Sequence, residues 1–151
     1  MRIETSSLQS SYPQRLMQFG LALFILGLLT GFLLPLMANA RMGLSSHLEG
    51  IMNGLVLVVL GLLWPRLQLG AGSQKVAYYL ALYGTYTNWA ATLLAGFIGA
   101  GGTMMPLAAA EFIGSGLQEG LITLALMSLS IAMLIVGGMA LWGVSRNPVA
   151  D

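Results

Sequence analysis

The chain has 151 residues and a net charge of +1, with hydrophobic residues at 57% and charged residues at 7%. Soluble proteins carry about a quarter charged residues, so this composition belongs to a membrane protein, and the near-neutral balance leaves no nucleic-acid footprint. There is no cysteine and one histidine, which excludes disulfides, thiolate nucleophiles, iron–sulfur clusters and multi-histidine metal sites but leaves room for a single axial ligand.

The length predicts one domain over residues 1–151. Apolar runs predict an all-α integral membrane bundle of four transmembrane helices. The opening MRIETSSLQSSYPQR is polar, and the apolar run behind it exceeds the core of a secretory signal. It reads as the lead into a retained first span over residues 16–37, which Pro35 kinks or ends.

A second span is predicted over residues 47–64, stopped by Pro65 and Arg66. Ser46 and Glu49 read as a capping box, which places His47 on the first helical residue. At about 100° per residue, Gly43, His47, Gly50, Gly54 and Gly61 then fall within roughly 60° of one direction. Each glycine in a helix costs about 1 kcal/mol relative to alanine, so the stripe calls for a reason. Close helix packing is one. The other is a flat, bulky ligand lying along Gly50 and Gly54, with His47 reaching one of its atoms. A ligand that is flat, apolar and metal-bearing would be haem, for which imidazole is the commonest anchor.

The third span, residues 75–98, is aromatic and polar: Tyr78, Tyr79, Tyr83, Thr85, Tyr86, Thr87, Asn88, Trp89 and Thr92 lie in it. Asn88 and Thr92 are one turn apart. An asparagine inside a span is costly without a partner, so Asn88 either bridges helices or lines a site. The same two readings apply to Asn53, six residues after His47. Tyr79, Tyr83 and Tyr86 form a separate stripe that reads as an interfacial belt, and Trp64 and Trp142 read as interface anchors. Glu49 reads as a cap, and Glu111 and Glu119 as solvated. GAGGTMMP breaks the third span, a short helix LAAAEF follows, and the fourth span covers residues 117–144.

Arg2, Arg15, Arg66, Lys75 and Arg146 fall on one side of this arrangement and Arg41 on the other. Positive charge marks the cytoplasmic side, so both termini are expected in the cytoplasm and His47 near the outer boundary.

With LGLLTGFLLPL, ANARMGLSSHLEGIMNGLVLVVLGLLWPRL and TNWAATLLAG in view, the chain resembles the hydroxylaminobenzene mutases. These membrane isomerases convert hydroxylaminobenzene to 2-aminophenol. It is more distantly similar to styrene oxide isomerase, in which a histidine followed six residues later by asparagine holds a ferric haem b. His47 and Asn53 match that pair, and Asn88 matches the third-span asparagine. Gly84 and Thr92 stand where the isomerase has aspartate and tyrosine, which implies a different substrate on the same cofactor.

The resemblance thus implies haem b with His47 as axial ligand, and Asn53, Asn88 and Thr92 orienting an aryl hydroxylamine. It also implies a homotrimer with haem between subunits, in the inner membrane of a bacterium. Three competing readings stand beside it, two from the residues and the epoxide reading from the likeness to styrene oxide isomerase. One is a non-enzymatic membrane subunit or carrier whose polar groups join helices. Another is an epoxide isomerase. The last is an electron-transfer haem protein using a second ligand among the ten methionines.

Overall fold

The computed structural model describes residues 3–146, with side chains from residue 11 onward. Arg2, used in the charge count, lies outside the described residues. The described residues form four long α-helices and one short one: α1 (Ile3–Leu33), α2 (Ala40–Leu63), α3 (Ala71–Ile98), α4 (Pro106–Ala109) and α5 (Gly116–Ser145). Pro35 and Pro65 each sit in a 3₁₀ turn, Leu34–Leu36 and Trp64–Arg66, directly after α1 and α2. Both end a helix because proline supplies no N–H to continue it.

The capping box expected at Ser46 and Glu49 is not the start of α2. Asn39 is the N-cap, its side-chain oxygen accepting from the Arg41 and Met42 amides at 3.0 and 3.1 Å. Its amide nitrogen also donates to the Ala108 and Ala109 carbonyls. Asparagine caps as well as serine does, and this one ties α2 to α4 as well, so the helix begins before the polar SSHLE run. His47 consequently lies about two turns inside α2. A capping box does exist at the head of α5, where Ser115 and Gln118 exchange bonds.

Among the described residues, three stretches are long and apolar enough to cross a membrane: Ser11–Leu36, Ala40–Arg66 and Gly116–Ser145. The helix α3 has the length, at 28 residues, but its tyrosines, threonines and Asn88 lower its hydropathy. Its position explains how it tolerates them. It packs against α2, α5 and α1, where Asn88, Tyr83 and Tyr86 find hydrogen-bond partners, while Thr85 and Thr92 bond carbonyls of α3 itself. The outer surface is apolar, with Phe32, Leu124, Leu134 and Leu141 among its exposed residues.

Of the glycine stripe, Gly50, Gly54 and Gly61 form a seam between α1 and α2. A methyl group built at Gly50 would stand 2.5 Å from the Gly27 Cα, and one at Gly54 would stand 2.6 Å from the Phe24 amide nitrogen. Gly20 faces the Gly54 carbonyl, and Gly61 faces the Pro13 carbonyl. The space expected for a ligand along Gly50 and Gly54 is therefore filled by the α1 backbone, and these two glycines are packing positions rather than cofactor-binding ones. Dispersion between closely approaching backbones drives helix association in lipid, where burial of apolar surface gives little.

Two further expectations are corrected. Trp64 is 4% exposed rather than interfacial, with the Tyr12 ring edge-on at 6.2 Å and Tyr12 stacked on Tyr78 at 4.6 Å. Its Nε1 is buried without a hydrogen-bond partner among the described residues. Glu119 is not simply solvated, because its carboxylate accepts the amides of Gly101, Gly102, Thr103 and Gly114, closing the loop between α3 and α5. Trp142, by contrast, lies exposed beneath the Arg146 guanidinium, 4.7 Å from its ring centre.

The seam generates a stability test. Gly50→Ala puts a methyl group against the Gly27 backbone and should destabilise the protein by about 1–3 kcal/mol, the usual cost of overpacking. Gly137 meets nothing within 4 Å, so Gly137→Ala should be neutral or stabilise by up to about 1 kcal/mol. Thermal unfolding of both variants in detergent checks this, the expectation being a lower Tm for the first alone.

Candidate functional site

Several polar side chains of the three N-terminal long helices meet in one layer. On α2, Ser46, His47 and Glu49 project in different directions because successive residues are about 100° apart. Ser46 donates to the Trp89 carbonyl at 3.0 Å, joining α2 to α3. Trp89 donates through Nε1 to Thr30 Oγ1 at 3.0 Å, and Thr30 donates to the Leu26 carbonyl at 2.8 Å. Its ring edge also abuts the position a Gly50 methyl would occupy. The indole thus locks α1, α2 and α3 at one depth.

His47 lies against α1. Its Nδ1 is 2.8 Å from the Gly27 carbonyl oxygen, and its ring covers Gly31, where a methyl would come within 3.0 Å of Nδ1. A carbonyl can only accept, so Nδ1 carries the hydrogen. In the neutral ring that tautomer leaves the lone pair on Nε2. Histidines that ligate metals characteristically hold their other nitrogen this way, which fixes ring orientation and raises donor strength. The side chain is half-buried.

Glu49 lies on the opposite flank, about 160° round α2 from His47. Its Oε2 accepts from Asn53 Nδ2 at 3.0 Å and from Asn88 Nδ2 at 2.6 Å. The two asparagines picked out separately by sequence are therefore brought together through a carboxylate that had been read as a helix cap. Asn53, Asn88 and Glu49 are all half-buried. Thr92 does not join them. It is buried, and its hydroxyl donates to the Asn88 and Trp89 carbonyls of its own helix at 2.8 and 3.0 Å, so it braces α3 rather than facing a site.

Sequence reasoning missed Glu49, Ser46 and Trp89 as members of the layer. A usable signal was present for Glu49: Asn53 follows it by four residues, one turn along the same face. No local pattern signalled that Ser46 would reach a carbonyl of α3, because that contact depends on how closely the helices approach.

The tyrosine stripe lies elsewhere. Tyr86 donates to the Phe19 carbonyl at 2.9 Å, and Tyr83 shares a 2.6 Å hydrogen bond with Ser128. With Tyr79, Leu82 and Phe19 these rings line an open groove of about 390 Å³ on the α1 and α3 surface.

Comparisons with known proteins identify the family. The styrene oxide isomerase family model matches residues 12–145. The chain is 60% identical over 148 residues to hydroxylaminobenzene mutase HabB of Ectopseudomonas oleovorans, covering 98% of this chain and 90% of that protein. It is 44% identical over 127 residues to hydroxylaminobenzene mutase HabA of the same organism, covering 84% of this chain and 94% of the relative. No solved structure matches. The family match runs through α1, α2, α3 and α5, and so through every residue of the polar layer: the chain belongs to the styrene oxide isomerase family and is an isomerase.

Proposed function

We propose that this isomerase rearranges hydroxylaminobenzene to 2-aminophenol by intramolecular hydroxyl transfer, using haem b anchored on His47. The substrate class rests on the mutases it resembles. The observation that carries the site assignment is the His47 bond to the Gly27 carbonyl, which commits Nδ1 and leaves Nε2 as the donor. A single histidine with a directed second nitrogen fits a one-ligand haem site. The chemistry a ferric haem supplies there is Lewis-acid polarisation of the N–O bond with no net redox change.

The rearrangement breaks N–O and forms C–O at the ortho carbon. The ortho hydrogen leaves as a proton and the nitrogen gains one, so atoms and electrons balance. The chain must orient the N–OH group toward the ring's ortho edge and keep water from the para position. Asn53 and Asn88 do the first, their amides being matched to the N–H and O–H of an aryl hydroxylamine. An apolar bilayer setting would serve the second. Thr92 has no part in this, its hydroxyl being spent within α3.

His47 and the amide pair leave opposite flanks of α2, so one chain does not present them to a common ligand. A homotrimer would, with the His47 flank of one protomer set against the amide flank of the next, so that His47 would hold the haem and the amides would face its substrate. The assembly sits in the inner membrane of a bacterium as a single four-span domain, with both termini cytoplasmic. Within it α3 is the additional crossing, its Asn88, Tyr83 and Tyr86 paired with neighbouring helices.

His47→Ala should still assemble in the membrane, yet lose haem or hold it with an altered absorption spectrum, and lose mutase activity. Haem content, spectrum and turnover of the detergent-purified variant check this, and wild-type values for all three would remove histidine ligation. Mass measurement in detergent should give three chains per particle. A haem-loaded monomer would contradict the shared site.

A further inference from the structure

We infer that Glu49 is a positioning residue that sets the orientation of both site amides, an inference that rests on the proposed function above. Two amide donors converge on one carboxyl oxygen, Asn53 at 3.0 Å from the same helix and Asn88 at 2.6 Å from α3. If the group only joined helices, Asn88 would suffice. The Asn53 bond runs within α2 and adds nothing to helix association, so its effect is to aim a side chain.

Pinning each amide by its nitrogen decides what faces outward. With Nδ2 turned to Glu49, each Oδ1 points away from the carboxyl group. Neither Oδ1 hydrogen-bonds among the described residues, and neither is a buried atom lacking a partner. Both are therefore open acceptors. Hydroxylaminobenzene offers two donors, N–H and O–H, on adjacent atoms, and a pair of fixed acceptors suits it. With Glu49 absent, each amide is free to rotate and present its nitrogen instead. The substrate then still enters, but its N–OH group is no longer held toward the ortho carbon. Glu49 touches neither the helix seam nor the His47 ring, so its loss leaves the rest of the layer in place.

The inference requires only an acceptor oxygen at position 49, and this makes it testable. Purified full-length Glu49→Ala and Glu49→Gln are compared with wild type for kcat, KM, haem content and the ratio of 2-aminophenol to 4-aminophenol formed from hydroxylaminobenzene. Misorientation in Glu49→Ala should lower kcat roughly 100-fold while KM stays within about threefold, and 4-aminophenol should appear as water captures the para position. Glu49→Gln keeps one acceptor oxygen and should restore kcat to within about tenfold of wild type along with the ortho product. Adding Asn88→Ala to Glu49→Ala should cost little more, because the two act as one unit. Should Glu49→Ala not assemble, Glu49→Met, of similar length and without the acceptor, takes its place.

Wild-type kcat and product ratio in Glu49→Ala would overturn the inference while leaving the proposed function standing. So would a Glu49→Gln protein as impaired as the alanine variant, since an acceptor oxygen would then not be what matters. A wild-type protein that forms no aminophenol would instead overturn the proposed function, and the inference with it.

Discussion

The contact on which the site depends is the meeting of the α1 and α2 backbones at Gly27 and Gly50. Nothing larger than hydrogen fits between them, since a methyl at either residue would come within 2.6 Å of backbone atoms across the seam. This closeness is what lets a side chain as short as histidine reach a main-chain carbonyl of the neighbouring helix, and lets Trp89 lie over Gly50 while donating to Thr30. Carbonyls inside a helix are ordinarily engaged four residues on, yet an oxygen has two lone pairs and can take a second donor. Gly27 offers such an oxygen because no side chain on it blocks the approach.

Magnitudes separate what holds the bundle from what arranges it. Interhelical hydrogen bonds in membranes average about 0.6 kcal/mol each, so the bonds of Ser46, His47, Trp89 and Asn88 together contribute only about 2–3 kcal/mol. The glycine seam and the aromatic cluster of Tyr12, Trp64 and Tyr78 supply most of the cohesion. What the polar bonds supply is direction. Nδ1 of His47 is committed to Gly27, Nδ2 of both asparagines to Glu49, and the Thr92 hydroxyl to its own helix. The groups left over, Nε2 on one flank of α2 and two amide oxygens on the other, are those able to meet a ligand. A layer satisfied on its inner side and open on its outer side is how a membrane protein keeps polar chemistry without orphaned groups in its core.

The all-helical class and the helix ends at proline were legible because long apolar runs and proline report directly on backbone needs. The start of α2 was not, because Asn39 and Ser46 are both good caps and only the tertiary bonds of Asn39 to α4 decide between them. The glycine stripe was visible as a stripe, but sequence periodicity does not say what lies on it. Packing by α1 and occupation by a ring call for the same residues, and the matching glycines at 20, 27 and 31 of α1 were the clue in favour of packing. His47, Asn53 and Asn88 stood out as polar residues in apolar sequence. Their grouping did not, since Glu49 joins two of them across a helix interface while the third turns to the far side. Glu119, a further acidic residue near glycines, looked like surface and proved to gather four loop amides, because glycine-rich backbone has donors to spare.

The central claim is that the hydroxyl oxygen is moved within the substrate and not exchanged with water. Carrying out the reaction in ¹⁸O-water and weighing the 2-aminophenol by mass spectrometry tests it most directly. Intramolecular transfer predicts product that retains the unlabelled oxygen of the substrate. Substantial ¹⁸O in the ortho hydroxyl would show release and recapture from solvent, and would contradict the proposed transfer within the substrate.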